Sequence, residues 1–225
     1  DLDLGVMKRI LQRFAIFRFL GLYRGQTGAL SQMGWKQVRL NNLRVSGDHP
    51  IPWIVYGATD FLEHTVSPKA RVLELGGGGS TLFWLNRGNT VVTIETDSRW
   101  HKKLVCSIGK NQNWTSHLVE EISPSALDDL GLGQFEVIVN DFNGDRTAVT
   151  SWAESNLSDG GYIVWDNSDR PLDKAAVDQL KVRGLGHIDF FGLSPINSFA
   201  TQTSVLSRSL VSPHWEIREK RTVEY

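Results

Sequence analysis

The chain has 225 residues, 40% hydrophobic and 22% charged, enough for one sizeable domain with an appendage and too few for two ordinary domains. Its single cysteine, Cys106, rules out an internal disulfide framework, and no Cys/His cluster has zinc spacing. The net charge of −1 hides an asymmetry: residues 1–44 carry eight basic side chains against Asp1 and Asp3, leaving 16 basic and 23 acidic residues for the rest. A basic head on an acidic body implies an anionic partner for the head, or docking of one on the other, and disfavours nucleic acid as a partner of the body.

In chain order, Ile10, Leu11, Phe14 and Phe17 recur at helical spacing, with Lys8, Arg9, Arg13 and Arg18 between them. Two readings stay open for this basic amphipathic segment, residues 6–24. It makes peripheral contact with an anionic membrane, or it is a lid helix packed on the body or on a second subunit of a homo-oligomer. No apolar run reaches the roughly 18 residues that span a bilayer, so a cytoplasmic chain, membrane-associated at most, is expected.

After the linker "GDHPIPW" a helix is predicted from Trp53 to about Thr65, which closes an N-terminal helical extension over residues 1–66. The body, 67–225, opens with short β-rich runs: "RVLEL" (71–75), "TVVTIE" (90–95), "TSHLV" (115–119), "FEVIVN" (135–140) and "GYIVWD" (161–166). Most are continuously apolar, as in parallel strands buried on both faces. Helix-length segments at 80–88, 98–109, 123–130, 146–157 and near 171–182 separate or follow them. "GHIDFFG" (186–192) and "TQTSVLSR" (201–208) add an antiparallel pair at the sheet edge. The predicted fold class is α/β, a Rossmann-like, doubly wound, mainly parallel sheet of seven strands.

In such a sheet a cofactor binds at the carboxyl ends of the strands. "ELGGGGST" (74–81) leads from the first strand into a helix, with four glycines that let a ligand approach the backbone. A dinucleotide fingerprint needs a third glycine where this chain has Thr81 or Leu82. Instead Glu74 precedes the glycines, and Glu95 closes the next strand, where a carboxylate accepts both ribose hydroxyls.

This pattern, E-x-G-x-G-x-S followed by an acid on the next strand, resembles the class I S-adenosylmethionine-dependent methyltransferases. The resemblance implies S-adenosyl-L-methionine as cofactor, held by Glu74, Gly76, Gly77, Gly78, Ser80, Thr81, Glu95, Thr96, Trp100 and Asp141, with the Trp100 ring near the adenine. Glu120 and Glu121 fall where that family places an adenine contact. A broader likeness, through "GW" (34–35), "PIPW" (50–53), "DNSDRP" (166–171) and "DFFGLSP" (189–195), is to bacterial methyltransferase-like proteins with no established substrate.

Asp141 ends the fourth strand, and Asp166 and Asn167 end the fifth, so three oxygen-bearing side chains meet at one cleft. Hard oxygen ligands suit Mg²⁺, while helix capping is the alternative. "DFNGDR" (141–146) lacks the glycine and glutamate of a calcium loop. The trio resembles the metal site of the catechol O-methyltransferase group, but the lysine which that group uses as base is here Gly144. The base is then sought among Asp141, Asp145, Asp166 and His49. Trp35, Trp53 and Trp165 are read as walls of an acceptor pocket or as core residues. The expected activity is methylation of a small molecule, most naturally at oxygen. A nicotinamide-dependent dehydrogenase and a catalytically inactive, cofactor-binding or membrane-docked module are the alternatives.

Overall fold

The computed structural model describes residues 15–22, 24, 28–35 and 50–210. Ile10, Leu11, Phe14 and His49 lie outside them. The head contributes helices α1 (Ala15–Leu22) and α2 (Ala29–Gln32). Helix α3 (Tyr56–Thr65) starts three residues later than expected, once the two prolines of "PIPW" are past.

The body alternates as the apolar runs require: β1 (Arg71–Leu75), α4 (Gly79–Asn86), β2 (Thr90–Glu95), α5 (Ser98–Ile108), β3 (Trp114–Leu118), α6 (Pro124–Asp129) and β4 (Phe135–Asn140). The helix expected over 146–157 splits into a 3-10 turn (Arg146–Val149) and α7 (Thr150–Ser155). It stops there because β5 (Leu157–Asp166) starts early, running ten residues past an irregularity in its register with β4. Helix α8 (Pro171–Val182), β6 (Gly186–Gly192) and β7 (Thr201–Ser207) complete the domain.

The seven strands lie in the order β3-β2-β1-β4-β5-β7-β6. Neighbours from β3 to β5 pair parallel, and β7 pairs antiparallel with both β5 and β6. The antiparallel pair is thus present, with β6 as the edge and β7 wedged inside the sheet. β1, β2 and β4 are almost wholly buried, whereas β3, at the other edge, is half exposed.

Two apolar cores cover the faces of the sheet. One joins Leu73, Leu75, Ile138, Ile163 and Trp165 to α6, α7 and α8. The other joins Val72, Val139, Val164 and Val205 to α3 and α4. Trp165 is fully buried in the first and donates its indole N–H to Asp173 at 2.8 Å, so of its two readings the core one holds.

Candidate cofactor and acceptor site

The glycine turn is built around one buried acid. Glu74 has no exposure and its Oε2 accepts the Thr81 hydroxyl at 2.5 Å and that of Thr93 at 3.3 Å. Thr81 Oγ1 in turn accepts the Gly78 N–H at 3.1 Å, so the residue found where a dinucleotide fold places glycine fastens the turn to the strand. Burial pushes the Glu74 carboxyl up to about 7, against hydroxyl hydrogen bonds, from Ser80 first, that hold it down. Gly76 sits at φ 90°, and a Cβ there would strike the carbonyl oxygen of Asp141, so β1 and β4 end close together only because this residue is glycine.

Glu95 stands beside the turn at the end of β2, almost buried. Its Oε2 accepts the Gly77 N–H at 3.3 Å, and its Oε1 accepts the N–H groups of Thr96 at 2.8 Å and Asp97 at 2.9 Å. Asp97 caps α5 through the Arg99 and Trp100 amides, which hold its carboxyl below the usual range. The capped helix aims Trp100 back at the turn, where its indole N–H donates to Gly77 O at 2.6 Å. Glu74, the glycines, Ser80, Thr81, Glu95, Thr96 and Trp100 are therefore one neighbourhood. Glu120 and Glu121 are exposed beyond β3, and no contact draws them into it.

On the acceptor side, Asp141 follows β4 and Asp166 ends β5. Between them lies a residue noticed in the sequence only for its spacing. Arg146, 7% exposed, donates Nε to Phe142 O (2.7 Å), Nη1 to Asp166 O (2.7 Å) and Nη2 to Asp141 Oδ1 (2.9 Å), and stands 3.9 Å from Asp173. Burial raises the Asp141 carboxyl in spite of that guanidinium. Burial, and then the Asp141 charge, push Asp166 up to about 7.

Asp166 Oδ1 accepts the Thr203 hydroxyl at 2.7 Å, and Asn167, at φ 54°, donates Nδ2 to Thr201 Oγ1 at 3.1 Å. Asp145 is turned to capping, accepting the N–H and hydroxyl of Thr147. A divalent cation does not fit this donor set as it stands. Arg146 takes Asp141 Oδ1 and the Thr203 hydroxyl takes Asp166 Oδ1, so neither carboxylate offers both oxygens to a cation, and Thr201 holds Asn167 through its amide nitrogen.

A strap, residues 50–56, crosses the carboxyl ends of the strands. Ile51 O lies against Gly79, whose added Cβ would come within 2.8 Å of it, and the Trp53 ring stands 6.0 Å from that of Trp100. At its other end Val55 N donates to Thr203 Oγ1 (3.1 Å) and Tyr56 N to Leu193 O (3.1 Å). Trp35 donates its indole N–H to Asn197 O at 2.9 Å, which ties the head to the 193–200 loop. Trp53 and Trp35 are both half-buried in this cover.

No protein-family model matches the chain, and no curated protein matches it in sequence. Solved structures do match. The O-methyltransferase TomG of Streptomyces achromogenes, in complex with S-adenosylmethionine, gives a TM-score of 0.54 at 20% identity, over 82% of this chain and 90% of that one. The fold is that of the class I S-adenosylmethionine-dependent methyltransferases. Aeropyrum pernix fibrillarin, with natively bound S-adenosylmethionine, gives 0.52 at 18% identity over 66% and 73% of the two chains. A provisionally assigned O-methyltransferase of Klebsiella pneumoniae gives 0.52 at 18% identity over 88% and 98%. These class I folds are similar in architecture, and at such identities the likeness extends no further.

Proposed function

We propose that the chain is an S-adenosylmethionine-dependent methyltransferase acting on a small molecule, at oxygen, without a resident divalent cation. The observation that carries this reading is Glu95, a carboxylate fixed against the glycine turn by three backbone amides. Amide donors hold the carboxylate in place, and its remaining lone pairs suit a pair of ribose hydroxyls. The turn itself is closed by Thr81 rather than opened for a pyrophosphate.

The cofactor, when bound, supplies an electrophilic methyl group on a sulfonium. The chain's own residues supply the rest. Asp141, beside Gly76, gives a carboxylate for the cofactor's ammonium. Asp166, poised near neutrality, takes the acceptor's hydroxyl proton as general base. Arg146 balances the negative charge of the pair. The strap keeps water from the transfer of that methyl group from sulfur to an oxygen anion, a step that annihilates opposite charges and that a dry site favours.

Calorimetric titration with S-adenosylhomocysteine tests the reading. The parent chain should bind, and Glu95→Ala should lose about 100-fold in affinity for two hydrogen bonds to a charged group. No binding by the parent would sink the proposal. Binding of NAD(H) in its place would favour the dehydrogenase, a reading to which the antiparallel β7 lends nothing.

A further inference from the structure

Among the described residues ten large hydrophobic side chains are exposed, and five of them, Ile16, Leu20, Leu22, Met33 and Phe199, sit in the head and in the 193–200 loop that it touches. Ile16 (63% exposed) and Leu20 (54%) lie one turn apart on the same face of α1. Helix α1 packs against α2, and from there Trp35 reaches Asn197 in the loop that presents Phe199, 66% exposed. The apolar residues therefore belong to one connected cover rather than to scattered sites.

The same stretch is basic. Residues 1–44 hold eight Lys and Arg against two acids, and Arg13, Arg18 and Arg24 fall before, within and after α1. Exposed aliphatic groups in a stretch with this excess of positive charge match an anionic bilayer surface. A second copy is the competing occupant, since the body is acidic. Among its described residues, however, the exposed apolar side chains are spread over α5, β3, α8 and β6 (Val105, Leu118, Leu172, Val182, Phe191) rather than gathered on one element.

We propose that α1, with Met33 and Phe199, docks on an anionic lipid surface and seats the entrance of the site there, so that the acceptor is an amphiphile taken from the bilayer. The choice of acceptor rests on the methyl-transfer reading; the docking does not.

Co-sedimentation with phosphatidylcholine vesicles, with and without about one third phosphatidylglycerol, tests the docking. The parent should partition onto the anionic vesicles only and be released by high salt. Ile16→Asp with Leu20→Asp should weaken partition by about tenfold or more, as two aliphatic contacts are lost. Phe199→Ser should weaken it less. All should keep parental circular dichroism and S-adenosylhomocysteine affinity. Absence of parental partition, or equal partition by the double variant, overturns the proposal. So does a self-association in sedimentation velocity that the double variant abolishes while vesicles remain unbound, since a second copy then covers the face. Vesicle binding without S-adenosylhomocysteine binding would overturn the methyl-transfer reading alone.

Discussion

Thr203 joins the strap to the acceptor-side carboxylate: its hydroxyl accepts the Val55 N–H and donates to Asp166 Oδ1. Both bonds are buried, so Thr203→Val, nearly isosteric, leaves an amide and a carboxylate oxygen without partners. A loss of about 2–3 kcal/mol in urea unfolding is expected, with most of it recovered in Thr203→Ser. A loss in Thr203→Ser as large as that in Thr203→Val would show that the methyl group matters as much as the hydroxyl.

Arg146 has no adequate substitute. Its fork serves two carbonyls and Asp141 at once, and Lys presents a single point charge. Arg146→Met should cost about 2–4 kcal/mol by leaving two buried carbonyls and the half-buried Asp141 carboxylate without their donor. Arg146→Lys should fall between it and the parent, read from thermal unfolding. Because this side chain supplies the local positive charge, turnover should be unchanged by EDTA, and a loss restored by Mg²⁺ would contradict that.

Stability should depend on pH through Glu74. Its carboxyl titrates near 4.5 when unfolded and near 7 when folded, so the folded state holds the extra proton across that window. A raised carboxyl favours folding when protonated, so stability declines as pH rises from about 4.5 to 7 and is flat above, by on the order of 3 kcal/mol. Asp166 adds a decline of the same sign between 3.8 and about 7. Glu74→Gln should reduce the fall in melting temperature between pH 5 and 7 and leave the share due to Asp166, measured as a series of thermal scans (pH values chosen to span roughly that window). An unchanged slope would place the Glu74 proton elsewhere.

Gly76→Ala puts a Cβ against Asp141 O at a backbone angle that L residues avoid. The strain, about 1–3 kcal/mol, falls on the turn itself. S-adenosylhomocysteine affinity should therefore drop more than global stability does. Gly109→Ala, also at positive φ but with open space around it, is the control that should lose stability without affinity.

The strands were legible because buried parallel strands are continuously apolar, and the two acids at their ends because Glu95 and Asp141 stop such runs abruptly. The order of the last two strands was not legible. Nothing in "GHIDFFG" or "TQTSVLS" says that the later strand enters the sheet first, since local pattern carries no information on neighbours. The use of Thr201, Thr203 and Ser204 was missed too, though four consecutive polar residues opening a buried strand offered a signal. Their hydroxyls hold Asn167, Asp166 and Ser168 in the turn after β5. Arg146 escaped as a charge-balancing residue because two of its three bonds go to backbone carbonyls, which no side-chain motif records.

The position of β7 also has a consequence in time. It is the last described strand in the chain, yet it occupies an interior place, between β5 and β6. A chain emerging from the ribosome can assemble the glycine turn, β1 to β3 and Glu95 early, by contacts close in sequence. The turn carrying Asp166 must wait for hydroxyls some 35 residues further on (Thr203 lies 37 residues away). A nascent chain arrested before β7 should therefore already recognise the methyl donor while lacking an ordered place for the acceptor.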